Sequence, residues 1–368
     1  MIYLDNGATS FPKPVSVRRA VVDAMARCAN PGRGGYREAM EAARVVYRCR
    51  EKAGALFECP PDRVVFTGSC TQGLNMAIRT LVKPGSRVVV SGFEHNAVMR
   101  PLYALDARIQ VAGRKLFDWE DTLRDFRRAL EKGADTVVFT HVSNAFGYVL
   151  PIAELSRMCR EFEVPFVMDC AQSAGSLPVS LEKSGAAFIA MPGHKGLQGP
   201  QGTGLLLCGR DPEPLLYGGT GSQSMDRTMP ETLPERGEAG TLNVPGIAGL
   251  WAGLSAVEKT GLNRIASRER TAADYCAEGL VKMGMTVFSG PNRSGCFSFL
   301  PPCDCETFSD ALAEEGIAVR AGLHCAPLAH ESAGTLKTGT VRVSFGMDAA
   351  LWQCDALLKT VKKVITKL

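Results

Sequence analysis

Long uninterrupted apolar runs are missing from this chain of 368 residues. No stretch approaches the roughly 18 apolar residues that a membrane span needs, so no membrane association is expected. An excess of one charge is missing too: 42 Lys and Arg against 38 Asp and Glu leave a formal net charge of +4. There is no lysine-arginine run and no interleaving of aromatic with basic residues, which argues against a nucleic-acid partner. The opening residues, Met1 to Pro14, carry an acid at Asp5 and no apolar core, so no export signal is expected. Histidine is scarce, with five in the whole chain, so the position of each carries weight. What remains, 45% hydrophobic and 22% charged, suits a soluble globular protein of two or three domains and excludes collagen, disorder and a small disulfide scaffold.

One residue type is abundant. Thirteen cysteines run from Cys28 to Cys354, an odd number. Without export they read as reduced thiols in a cytoplasmic protein, most of them small buried hydrophobes. The single close pair, Cys303-Asp304-Cys305, lacks the second pair that a zinc site requires, and no metal is expected.

Apolar strands alternate with helical patterns through the first half. Arg63–Thr67, Arg87–Val90, Thr136–Thr140, Val164–Met168, Ala186–Ala190 and Gly204–Leu207 read as strands. Residues 72–81, 119–132 and 151–162 read as helices. Continuous apolar strands of this kind imply an α/β fold with a mainly parallel sheet covered on both faces. From 210 to 246 the chain is irregular and rich in Gly, Pro and Thr, which inside a compact protein points to function or an interface. Two long helices, three short strands, a helix at 306–315 and a last helix from Asp348 follow, an α+β second unit. The expected division is 15–245 for a large domain, with 1–14 and 246–368 forming a smaller one.

Four segments follow four expected strands. Gly68 to Gly73 opens a helix, whose first amides can hold an anion. His95 follows the second strand and can stack on a ring or move a proton. Asp169 ends the fourth strand, where it suits either a helix cap or the ring nitrogen of a bound cofactor. Lys195 lies in Gly193-His194-Lys195-Gly196, which fits a glycine-rich surface turn or a Schiff-base lysine. Together they suit pyridoxal 5'-phosphate. In a fifth segment, Arg320 to Leu328, Cys325 has His324 beside it and Arg320 five residues earlier, and positive neighbours make a thiol reactive.

In this order the segments resemble class V aminotransferase-fold enzymes of pyridoxal-phosphate fold type I. The resemblance is specifically to Suf/Csd-type cysteine desulfurases of the second group and the related selenocysteine lyases. It rests on Tyr3 to Thr9, Asn30 to Gly34, the segments around Thr71 and His95, and Thr140 to Gly147. It continues through Asp169 to Gly175, Gly193 to Lys195, Glu238 to Thr241, Arg320 to Ala326 and Thr340 to Phe345.

The resemblance implies that Lys195 binds the cofactor and moves the Cα proton. It implies that Asp169 pairs with the pyridine nitrogen, that Gln172 reaches the ring hydroxyl and that His95 stacks on the ring. Thr71, the amides around Cys70, and His194 would hold the phosphate. Thr241 would complete the site of a second copy in a homodimer with shared active sites, with Arg33 and Gly218-Gly219-Thr220-Gly221 lining the neighbour's site. Asn144, Arg342 and Arg320 would bind a small amino-acid substrate such as L-cysteine. Cys325 would accept its sulfur as a persulfide, for onward transfer to an acceptor protein. The chain departs from the Suf-type pattern at Pro192, at Cys70-Thr71-Gln72 and at Leu323. A selenocysteine lyase, another class V lyase or transaminase, and a non-enzymatic sulfur carrier are the alternatives.

Overall fold

The computed structural model describes residues 1–32, 34–221 and 224–367. Among them seven strands form one sheet in the order Val64–Thr67, Gly204–Cys208, Phe188–Pro192, Phe166–Asp169, Thr136–Thr140, Arg87–Ser91 and Arg108–Ala112. Gly204–Cys208 runs antiparallel to both neighbours and the other pairs are parallel. The expected α/β fold is therefore present. The central strands are buried along their length, which is why they read as unbroken apolar runs. Arg108–Ala112 escapes the sequence reading because it is the edge strand, half-exposed, with Arg108 and Gln110 interrupting its apolar residues.

Two helices, Val15–Arg27 and Arg37–Leu56, lie where the sequence reading places none. Their buried faces are narrow and made largely of alanine and short side chains, so their periodicity is faint. Both pack against Val244–Thr260, whose Ile247, Leu250 and Leu254 join the core of the large sheet. The expected start of the small domain at residue 246 thus falls inside a helix that packs on the large sheet.

The second unit holds an antiparallel sheet in the order Arg320–Gly322, Thr340–Ser344, Cys296–Leu300 and Thr286–Phe288. Leu262–Lys282 and Leu351–Lys367 cover it around Phe297, Phe299, Leu280 and Leu357. The N-terminal strand Ile2–Tyr3 pairs with Ile317–Ala318, which brings the chain's start into this unit. The last helix begins at Leu351 rather than near Asp348, so Asp348 is not its cap. Instead the Gln353 side chain accepts from the Ala350 amide at 3.0 Å. Asp304, between the paired cysteines, caps Cys305–Glu314 by accepting from the Glu306 and Thr307 amides.

The irregular stretch after residue 209 is anchored at a buried ion pair. Arg50 donates from both Nη atoms to the two carboxylate oxygens of Glu238, each at 2.9 Å. Glu238 also accepts from the Phe66 amide at 2.6 Å, and Arg50 donates to the Val64 carbonyl. One pair thus joins the helix Arg37–Leu56, the strand Val64–Thr67 and the segment that carries Thr241. Glu238→Gln leaves a buried guanidinium without its counter-charge and should cost about 3–5 kcal/mol in urea unfolding. Glu161→Gln, at the exposed and solvent-screened pair with Arg127, should cost far less. Equal losses would deny Glu238 its anchoring role.

Candidate active site

Strand ends of the large sheet and one loop of the small unit meet around a cavity of about 260 Å³. Thr71, His95, Asp169 and Lys195 line it from the large sheet, and Arg320, Cys325 and Arg342 line it from the small unit. Asn144, Gln172, His194 and Cys70 share the same walls. The open carboxyl edge of a mainly parallel sheet is where an α/β fold places its ligand. One of the expected residues lies elsewhere. Thr241 lines a separate cavity of about 190 Å³ with Gly68, Gln72 and Glu238. Arg33 lies outside the described residues.

Glycines set the position of Lys195. A Cβ on Gly175 would collide with the Gly196 carbonyl, and one on Gly196 would collide with the Ala174 carbonyl. Their absence lets the segment after Asp169 lie against the lysine turn. Burial lowers the Lys195 amine below its ordinary value, opposed by the nearby Asp169 carboxylate and reinforced by Arg342 and Arg320. That favours a neutral, nucleophilic amine. Asp169 is buried, and its Oδ1 accepts from the Ala171 amide at 2.8 Å.

The anion cradle is narrower than the sequence suggests. Gln72 Oε1 accepts from the Gly68 amide at 2.6 Å, and Ser69 Oγ accepts from the Gln72 amide at 3.2 Å. The amides of Cys70 and Thr71 are left at the start of the 12-residue helix. The Cys70 thiol does something else: it donates to Asp169 Oδ1 at 3.5 Å, and burial holds it protonated.

Three histidines here are neutral, each chiefly because burial disfavours the charged form. His95 caps its own helix, with Nδ1 accepting from the Ala97 amide at 3.0 Å, so its ring proton sits on Nε2. His194 is pushed down to about 4. His324 is pushed down to about 2, and its Nε2 pairs with Thr340 Oγ1 at 3.2 Å. This corrects the expectation that His324 brings a positive charge to Cys325.

Arg342 is almost fully buried at 2% exposure. Its Nη1 donates to the Asn144 carbonyl at 2.9 Å and its Nη2 to Asp5 Oδ1 at 2.6 Å. Asp5 is thus a site residue that the sequence reading quoted without a role. Gln172 Nε2 donates to the Gly7 carbonyl at 2.9 Å. Lys13, which the sequence reading missed, donates to the His194 carbonyl at 2.6 Å and to Ser10 Oγ at 2.7 Å. Burial lowers Lys13 to about 8. No sequence spacing could reveal a contact across 181 residues. Glu94 was also missed; it is fully buried and accepts from Ser91 Oγ and from the Thr140 amide.

Of the thirteen cysteines ten are buried, Cys28 and Cys303 are half-buried, and Cys325 alone is exposed. His324 and Cys325 both take left-handed backbone, with φ of 51° and 57°. For residues other than glycine such backbone costs of order 1–3 kcal/mol each and persists where neighbours enforce it. A loop of this kind holds a thiol at the rim of a cavity rather than in the core.

A profile of the class-V aminotransferase family matches residues 2–357. A protein of Pyrococcus abyssi named as a probable cysteine desulfurase is 32% identical over all of this chain and 95% of its own length. One from Methanothermobacter thermautotrophicus with the same description is 32% identical over 91% of this chain and 89% of its own. Among solved structures, an apo cysteine desulfurase from Thermococcus onnurineus superposes with a TM-score of 0.90 at 30% identity, over 100% of this chain and 95% of that one. The cysteine desulfurase CsdA of Escherichia coli gives 0.87 at 27% identity, with the same coverage. With its cavity on the carboxyl edge of the sheet lined by both Lys195 and Asp169, the chain belongs to the class-V aminotransferase family.

Proposed function

We propose that this chain is a pyridoxal 5'-phosphate-dependent cysteine desulfurase. It takes sulfur from L-cysteine, leaves L-alanine and carries the sulfur as a persulfide on Cys325. The observation that carries this reading is that the one exposed thiol opens on the cavity that holds Lys195 and Asp169.

The residues fit the cofactor and its substrate. Asn144 Oδ1, Arg342 Nε and His324 Nδ1 are buried without partners, and all three residues line this cavity. Buried polar atoms left unpaired in this way invite a polar ligand. Lys195 would bind the aldehyde, and Asp169 the ring nitrogen. His95 and Gln172 would lie against the ring, while the Cys70 and Thr71 amides, the Thr71 hydroxyl and His194 would hold the phosphate. When bound, the cofactor supplies an electron sink for the charge left at the substrate Cα.

The chain's own groups do the rest. Arg342 offers its remaining N–H donors to the substrate carboxylate, a planar fork that lysine cannot reproduce. Arg320, exposed at the rim, adds positive charge on the approach. Lys195, its proton affinity lowered by burial, takes the Cα proton. His95 presents a neutral imidazole beside the substrate. Cys325 Sγ then bonds to the substrate sulfur as the Cβ–S bond breaks. The electron pair of that bond stays on Cβ; a proton delivered there, and return of the Cα proton from Lys195, complete alanine.

Two features support a homodimer with shared sites. Val22, Met25, Tyr47 and Trp251 expose apolar surface on three neighbouring helices. Thr241 and the loop from Gly218 to Gly221 line cavities other than that of Lys195, as residues that complete a second copy's site would. Cytoplasmic residence is supported by thirteen unpaired thiols, and a downstream acceptor protein by the exposure of Cys325. Among the described residues no helix is long and apolar enough to cross a membrane.

The test is a product assay with cysteine, cystine and selenocysteine. Alanine from cysteine is expected, whereas pyruvate would mean β-elimination. Cys325→Ala should keep the yellow colour of the bound cofactor and lose alanine formation from cysteine by on the order of 100-fold or more. Full activity in that variant would remove Cys325 from the reaction. A second prediction concerns pH. Burial lowers His95 below its ordinary 6.5, so the ring stays neutral as pH falls through 6.5 and protonates only further down. The acid limb of kcat/KM due to His95 should lie below 6.5. A limb at or above that value, abolished in His95→Gln, would contradict this.

A further inference from the structure

The loop that carries Cys325 rests on two hydrogen bonds to the large unit. Asn144 Nδ2 donates to the His324 carbonyl at 2.7 Å. The Asn96 amide, at the start of the helix that His95 caps, donates to the Cys325 carbonyl at 2.8 Å. These acceptors belong to the two left-handed residues. The same Asn144 accepts from Arg342 Nη1 through its main-chain oxygen. A single buried residue therefore touches the guanidinium of the small unit with its backbone and the thiol loop with its side chain.

We propose that Asn144 is a positioning residue for Cys325. Its amide group fixes the left-handed turn that aims the thiol at the cavity. This rests on the reading of Cys325 as the sulfur acceptor, and it adds a role that substrate binding by Asn144 does not require. The side-chain amide has two hydrogens and one oxygen. One hydrogen is spent on His324, while Oδ1 stays buried and unpartnered at the cavity wall. Asn144 thus remains able to meet a ligand while it holds the loop. The Asn96 amide is the matching support from the other side, and residue 96 is a first helical position where proline is well tolerated.

The experiment is hydrogen–deuterium exchange and Cys325 alkylation on the full chain loaded with pyridoxal 5'-phosphate, without substrate. Absence of substrate removes any contribution from substrate binding. Asn144→Asp keeps the shape but sets a carboxylate oxygen against the His324 carbonyl. It should speed exchange across residues 320–328 roughly tenfold, while residues 166–169 stay as protected as before. Iodoacetamide should also label Cys325 several-fold faster, as measured on its own peptide by mass spectrometry. Asn144→Ser, too short to reach His324, should do the same and serves if the aspartate variant does not fold. Asn96→Pro, which deletes the other donor, should give the same signature with every cavity side chain intact. Wild-type exchange and labelling in a folded Asn144 variant would overturn the proposal. A wild-type chain that never takes up the cofactor would instead defeat the functional reading, with the loop measurement unaffected.

Discussion

A buried guanidinium holds the two halves of this molecule in register. Arg342 projects from the strand Thr340–Ser344 of the small sheet, reaches Asp5 near the N-terminus and meets the backbone of Asn144 in the large unit. Removing a charge from water is costly unless partners replace the solvent. The pair with Asp5 and the carbonyl of Asn144 supply two of those partners, and Nε is left for a third. The cavity exists because these contacts bring the small sheet up to the strand ends. The thiol loop follows, since the residue that receives Arg342 also grips His324. Binding an anionic substrate at this arginine and aiming a thiol at it are consequences of one arrangement.

The electrostatics of the site follow from burial. Desolvation moves Lys195, His95, His194 and His324 toward their neutral forms and holds Cys70 protonated. Asp169 opposes the shift at Lys195 and His95, so the carboxylate that would face the ring nitrogen also sets the proton affinity of its neighbours. The site thus collects neutral bases around one acid and two arginines, a set suited to moving protons near neutral pH.

Much of this was legible in the sequence, for a physical reason. Strands buried on both faces have to be apolar, so Thr136–Thr140 and Phe166–Asp169 announced themselves, and so did the glycine-flanked Lys195 beyond its strand. Arg108–Ala112 did not, because an edge strand is free to carry charge. The helices Val15–Arg27 and Arg37–Leu56 were hidden by thin buried faces. In the site, residue types were readable but contacts across the chain were not. Lys13 on His194, Asp5 on Arg342 and Asn144 on His324 join positions more than 170 apart in sequence. The local charge argument at Cys325 keeps Arg320, which lines the same cavity, and loses His324, which it counted as positive. Folding buries that ring, which no neighbouring letter reveals.

The central claim is that Cys325 receives sulfur in a cavity organised by Lys195 and Asp169. The most direct measurement is mass spectrometry of the intact, cofactor-loaded chain mixed with L-cysteine in the absence of any acceptor, followed by digestion under non-reducing conditions. The account predicts one added sulfur on the peptide that contains Cys325, appearing together with one equivalent of alanine. Alanine released with that peptide unmodified, or added sulfur confined to other cysteines, would contradict it.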